Sequence, residues 1–139
     1  MKVMGLDPGS KRVGVALSDN LGMTASGLTT LTWRKREDLL AGIHRLVEEY
    51  KVEKIVVGLP RRMDGSLGPE AKAALSLAEE LESCEGLEIV TWDERFSTVA
   101  AERVLIEADV SRKKRKKLRD KVAAAYILQG YLDSLKISY

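Results

Sequence analysis

Three carboxylate positions stand where acids are uncommon: Asp7, the pair Asp93-Glu94, and Asp120. Asp7 closes the apolar run Val3-Met-Gly-Leu6 and shares strand parity with Val3 and Gly5, so its side chain follows small or inward-facing neighbours, and Gly5 leaves room beside it. On a helix, Asp120 has Ala123, Ala124 and Ile127 at i+3, i+4 and i+7, which makes it the head of a small apolar stripe suited to close packing on a sheet. A carboxylate buried without a partner is costly, so this one calls for a cation. Asp93-Glu94 ends another apolar run, Leu87 to Trp92, and parity alone leaves open which of the two points toward the other acids. Taken singly, each acid has a local explanation: an Asx turn for Asp7, a helix cap for Asp120, and an ion pair with Arg95 or Arg103 for Glu94. Taken together, acids from three distant segments could converge at one edge of a sheet. With no His or Cys cluster nearby, such an all-oxygen set suits a hard divalent cation, Mg²⁺ or Mn²⁺.

The second feature is a run of cations. The chain has a net charge of +2, but Arg112 to Lys121 (RKKRKKLRDK) holds eight of the 23 basic residues and one of the 21 acids. The remainder carries 15 basic and 20 acidic residues, a net −5, so the basic character is a single patch. A cationic patch on an acidic domain is what a polyanion such as nucleic acid requires; a solvated loop without a partner is the plainer alternative. Within the run Arg112, Lys113, Lys114, Arg115, Lys116, Lys117 and Arg119 are the candidate phosphate contacts. Lys11 and Arg12, just past the turn at Pro8-Gly9, and Arg61 and Arg62, after Gly58-Leu-Pro60, are further candidates, with solvated turn charges as an equally good reading.

Other conspicuous residues point to structure rather than chemistry. His44 is the sole histidine, lies within the first amphipathic helix and is expected to have no Ser, Cys or metal-spaced partner. Cys84 reads as a small packed side chain, Trp33 and Trp92 as core or anchor residues, and Ser97 or Thr98 as a helix cap.

These residues must be held by elements, and the patterning supplies them. Val13, Val15 and Leu17 alternate with Gly14, Ala16 and Ser18, so the Pro8-Gly9 turn joins two strands in a hairpin; Thr24 to Leu31 reads as a third strand. Leu39, Leu40, Ile43, Leu46, Val47 and Tyr50 recur at helical spacing between Arg36 and Lys51. Lys54 to Pro60 is β-branched and apolar on both faces, the pattern of a strand covered on each side. Pro69 opens a helix with Leu75, Ala78 and Leu81 on one face, Leu87 to Trp92 forms a strand, and Ala101, Val104, Leu105 and Ala108 mark a further helix. The last helix is expected from Val122 to Leu135, after the basic run. Three strands, then helix, strand, helix, strand and two helices predict an α/β domain with a mixed sheet, an antiparallel meander joined to parallel crossovers.

Length and composition set bounds on this reading. At 139 residues and 45% hydrophobic content the chain is expected to form one domain, residues 1–139, with its own core. A single cysteine rules out an intrachain disulfide, no secretory leader is apparent, and the apolar runs fall far short of the ~18 residues of a membrane span. The expected location is the cytoplasm, with no membrane partner.

The segments GLDPGSKRVGVALSD, IVVGLP, MDGS, DERFST and SRKKRKKLRDKVAAAYILQGYLD, in this order from Met4 to Asp133, resemble the successive signatures of the YqgF family. That resemblance implies an RNase H-like fold similar to Holliday-junction resolvases and a nuclease acting in maturation of the 5′ end of pre-16S ribosomal RNA. It also implies that Asp7, Glu94 and Asp120 are the catalytic acids and the ligands of a two-metal site loaded with Mg²⁺ or Mn²⁺. Precursor ribosomal RNA, or the small-subunit precursor that contains it, is then the expected partner of a monomer or homodimer. A resolvase acting on branched DNA and a non-catalytic RNA- or ribosome-binding module are the rival readings. Three retained acids speak against the last, because a pure binder gains nothing from negative charge facing phosphates.

Overall fold

The structure is a computed structural model that describes residues 1–9, 11–62, 64–84, 86–93 and 112–135, with residues 112–119 described by their backbone alone. In chain order the described elements are β1 (Val3–Pro8), β2 (Arg12–Ser18), β3 (Ala25–Thr32), α1 (Arg36–Tyr50), β4 (Lys54–Leu59), α2 (Pro69–Glu82), β5 (Glu88–Asp93) and α3 (Arg112–Leu135). The strands form one sheet in the order β3-β2-β1-β4-β5. β1 pairs antiparallel with β2, and β2 with β3, while β4 runs parallel to both β1 and β5. The sheet is therefore mixed, as the patterning predicted. Glu94, the Ser97 or Thr98 cap and the stripe of Ala101, Val104, Leu105 and Ala108 lie outside the described residues.

Alternation along each strand sorts the side chains onto two faces. Met4, Leu6, Val13, Val15, Leu17, Ile55, Val57 and Leu59 are buried on one face, where they meet Leu39 and Ile43 of α1 and Ala74, Leu77 and Leu81 of α2. Each fully buried large aliphatic side chain there contributes about 1.5–3 kcal/mol of transfer free energy. The local signals for these helices are present as read. Pro69 is at the first turn of α2, and α1 stops at Lys51, whose backbone turns left-handed (φ 55°) and donates its N–H to Val47. The opposite face carries Val3, Ala16 and Val56 against Ala124, Ile127, Leu128 and Leu132 of α3.

α3 corrects the sequence reading at one point. The basic run is not a loop preceding a helix that starts at Val122, because the helix is continuous from Arg112. Lys and Arg are good helix formers, so nothing in the run opposes that extension even though it lacks apolar periodicity. Asp120 accordingly lies inside α3, two turns from its described start, and does not cap it.

The far half of α3 is tied to the sheet by polar contacts. Gln129 accepts the Ala25 N–H at 2.9 Å and donates to the Met23 carbonyl at 3.1 Å. Lys54 donates to the Tyr131 hydroxyl at 2.7 Å, and this bond, supported by Glu88, raises the Lys54 pKa.

Candidate active site

Asp7 is the penultimate residue of β1 and stands opposite Gly14 of β2. Antiparallel partners project to the same face, and here that face is the one covered by α3. Gly14 is where helix and sheet come closest: a Cβ built on it would overlap the backbone carbonyl of Asp120. Two residues back along β1, a Cβ on Gly5 would stand 2.7 Å from the Leu128 Cβ, and on β3 one on Gly27 would stand 2.9 Å from the Lys121 Cβ. Three strands thus leave out side chains so that one helix can lie on them. Asp7 and Asp120 flank Gly14, one as its strand partner and the other as the helix residue pressed against it.

The direction of α3 follows from the same contacts. Asp120 sits at Gly14, level with the end of β1; Ala124 and Leu128 sit at Gly5; Leu132 clusters with Val3 at the start of β1. The helix runs back along β1, so Arg112 to Arg119 extend beyond the edge of the sheet where Asp7 lies. Eight helical residues span about 12 Å. The basic run therefore overhangs the acids, and Lys121, the last of its cations, lies against the sheet at Gly27.

Other predicted positions share this edge. β4 is parallel to β1, so Arg61 and Arg62, which follow its C-terminal end, are on the same side of the sheet as Asp7, and both are exposed. Lys11 is exposed in the β1–β2 turn. Arg12 is drawn inward: its Nε lies 3.0 Å from Asp120 Oδ2, with the two side chains 26% and 15% exposed. The pairing of Arg12 with Asp120 is a relation that sequence reading missed, having placed Arg12 among the outward phosphate contacts. Gly14 was missed as well, although a glycine between Val13 and Val15 inside a strand signals close backbone approach.

The choice between Asp93 and Glu94 can be narrowed. Val90 and Trp92 of β5 pack with the α3 cluster, whereas Ile89 packs with the α1/α2 cluster. Asp93, opposite Leu59, continues the parity of Ile89 and faces away from α3. Among the described residues no three His, Cys, Asp or Glu side chains converge, and Glu94 is outside them. Of the expected trio, Asp7 and Asp120 are described: each adjoins Gly14, and the Arg12 guanidinium lies beside Asp120. Both offer oxygen donors. That is the chemistry a hard cation would find suitable.

A cavity of about 260 Å³ on the other face lies between the β1–β2 turn, α1 and α2, lined by Val13, Leu39, Ala73 and Leu77 among others. Among the described residues that line it Glu70 is the one acid, which makes it a poor rival to the Asp7–Asp120 edge for metal chemistry. His44 also needs correcting: Cys84 Sγ lies 3.3 Å from its Nε2, a partner 40 residues away that local spacing could not reveal. Trp92 packs edge-on against Tyr131 with ring centroids 5.9 Å apart, and Trp33 lies against the α1/α2 core.

Residues 1–134 match the family described as "RuvX: Holliday junction resolvase". The chain belongs to the RuvX family. Relatives of this RuvX chain include a protein of Moorella thermoacetica, 56% identical over 135 residues that make up 97% of this chain and 96% of the relative. Another, from Bacillus cytotoxicus, is 53% identical over 136 residues, covering 96% and 99%. Both carry the name "Putative pre-16S rRNA nuclease". Among solved structures, the fowlpox virus resolvase bound to Holliday junction DNA superimposes with a TM-score of 0.60 at 15% identity, covering 97% of this chain and 99% of that one. RuvC of Thermus thermophilus, bound to a Holliday junction substrate, gives 0.54 at 18% identity, covering 99% and 97%. The RuvX chain shares their RNase H-like fold.

Proposed function

We propose that this protein is a metal-dependent endonuclease acting on structured nucleic acid, with the 5′ end of pre-16S ribosomal RNA as its substrate, in the cytoplasm. The observation that carries this reading is the juxtaposition of Asp7 and Asp120 about Gly14, beneath an overhanging basic helix start. The names borne by near-full-length relatives support the choice of substrate, and no described helix is long and apolar enough to cross a membrane.

Each part of the chain has a physical role in this reading. Asp7 is carried by a central strand and Asp120 by a helix pressed onto that sheet, so both carboxylates are held stiffly, as ligands must be. Glu94, which follows β5 in the chain, completes the trio. These three residues would hold Mg²⁺ or Mn²⁺. When bound, a pair of such cations supplies an activated water and neutralises charge on the leaving oxygen of a phosphodiester. Arg112, Lys113, Lys114, Arg115, Lys116, Lys117 and Arg119, with Lys11, Arg61 and Arg62, draw the backbone phosphates to the edge where the acids lie. Without those cations the carboxylates would repel the substrate they act on.

A second reading, cleavage of branched DNA, is favoured by the family description itself. Contacts to phosphates do not distinguish the two sugars, so substrate competition must. The decisive experiment incubates purified protein with precursor 16S RNA and with a four-way DNA junction, with and without Mg²⁺ or Mn²⁺, alongside Asp120→Asn. The expected result is divalent-dependent cleavage of the RNA. Asp120→Asn should be slower by about 10²-fold or more with binding kept or improved, because one negative charge has left the face that meets phosphate. Preferential junction cleavage by a stable dimer would favour the second reading. Full activity of Asp120→Asn would remove Asp120 from the acid trio, whereas binding of nucleic acid with no cleavage of either substrate by the wild type would leave a binding module.

A further inference from the structure

Arg12 and Gly14 lie two residues apart on β2 and share its α3-facing side, so the Arg12 side chain reaches along that face to Asp120. Its backbone is fixed, since the Arg12 carbonyl accepts the Gly9 N–H at 2.8 Å and the residue pairs with Thr32 of β3. Asp120 Oδ2, the oxygen it approaches, is shielded from solvent. Asp7, the strand partner of Gly14, puts a second carboxylate at this edge, and like charges held at one edge repel in the absence of a cation. The helix must nevertheless stay against the sheet in that state.

We propose that Arg12 is the resident counter-cation of this carboxylate site: its guanidinium neutralises Asp120 in the metal-free protein and leaves it when a divalent cation binds, becoming available to a substrate phosphate. The inference rests on Asp7 and Asp120 being metal ligands. Guanidinium stays protonated across the working pH range, so the exchange is a competition between cations and not a proton transfer. The competition favours the divalent ion. A partly exposed guanidinium–carboxylate pair is weak, whereas two positive charges interact with both acids at once. If Arg12 merely ties α3 to β2 it would stay in place, and metal binding would be indifferent to it.

The test titrates Mn²⁺ into the full chain by calorimetry and follows the Mn²⁺-induced rise in melting temperature, for wild type, Arg12→Gln, Arg12→Lys and Asp120→Asn. Arg12→Gln should melt below wild type in chelator, bind Mn²⁺ about three- to tenfold more tightly and gain a larger metal-induced rise. Arg12→Lys, which keeps the charge, should return both values toward wild type. Equal or weaker Mn²⁺ affinity in Arg12→Gln overturns the proposal. The Asp120→Asn arm separates the two levels. If it binds Mn²⁺ as wild type does, the ligand assignment fails and the proposal with it; if it loses binding while Arg12→Gln matches wild type, only the counter-cation role fails. Should Arg12→Gln not fold without metal, the wild-type Arg12 Nε–H resonance decides. Its shift should track saturation with Mg²⁺, and an unmoved signal at saturation overturns the proposal.

Discussion

The two faces of the sheet are built from the same strands on opposite principles. Toward α1 and α2 the buried residues of the central three strands are large or branched aliphatics, and the helices stand off on a thick layer of side chains. Toward α3 the same strands present Gly5, Gly14 and Ala16, and the helix backbone descends almost onto the sheet. The first face is filled by strand side chains. The second has fewer of them, is buried mainly by the helix's own Ile127, Leu128 and Leu132, and obtains proximity, which puts the helix backbone at Asp120 against the strand partner of Asp7. Under the proposed function, bulk stability and placement of chemistry fall on different sides of one layer.

That division can be broken from either side. The largest stability effect should come from the aliphatic face. Leu81→Ala, at a fully buried position, is expected to lower unfolding free energy by about 2–5 kcal/mol in denaturant titration while folded molecules cleave at the wild-type rate. Impaired single-turnover cleavage at temperatures where the variant is folded would mean the faces are not separate. Gly14→Val should reverse the pattern. Its side chain must push Asp120 and the α3 backbone away, and a displacement of about 1 Å is enough to lower cleavage about 10²-fold. The accompanying stability loss should be about 1–3 kcal/mol. A Gly14→Val protein with normal cleavage would show that close helix approach does not position the acids.

Smaller effects sharpen the contrast further. Replacing Lys113, Lys114, Arg115 and Lys116 by Gln keeps residues compatible with a helix. It should weaken nucleic-acid binding and flatten its log–log salt dependence by about 0.9 for each duplex phosphate no longer neutralised, with stability changed by less than about 0.5 kcal/mol. An unchanged slope would remove the overhang from the binding surface. The smallest effect is expected at the β2–β3 turn, remote from the acids. There Asp19 accepts the Met23 N–H at 2.7 Å, and this bond lowers its pKa below the ordinary 3.8. A depressed folded pKa means the contribution is present above pH 3.8 and fades as pH falls through the lower folded value. Asp19→Asn should therefore be slightly less stable at neutral pH, and the gap should close in acid melts, with cleavage unaltered. A gap that persists below that window would place the effect in packing instead of charge.

The sequence made much of the scaffold legible because strands and helices leave periods in hydrophobicity. The alternation through Val13, Val15 and Leu17, the i, i+3, i+4 pattern of α1 and the Pro69 start of α2 are local signals, and the structure has elements at those places. The start of α3 was not legible in this way. Eight cations in ten residues carry no apolar period, so periodicity reads them as a loop even though their backbone propensity is helical. Strand parity and helical spacing singled out Asp7 and Asp120, and the family resemblance implied a role for them. Neither revealed that Gly14 lies between them or that Arg12 reaches from the strand to the helix.

What the sequence determined by itself is therefore an inventory and an order: which segments with an apolar period are strands or helices, which acids close a strand, and that the positive charge is concentrated in one run. Those properties depend on near neighbours along the chain. The tertiary structure decided which of them meet. Arg12 and Asp120 are far apart in sequence, as are His44 and Cys84, and Asp93 is turned from the α3 face by a parity that only the packing of Ile89 and Trp92 reveals. Coulomb attraction and steric contact act over a few ångströms of space regardless of separation along the chain, so these relations come into being only once the sheet order is set and α3 is laid across it.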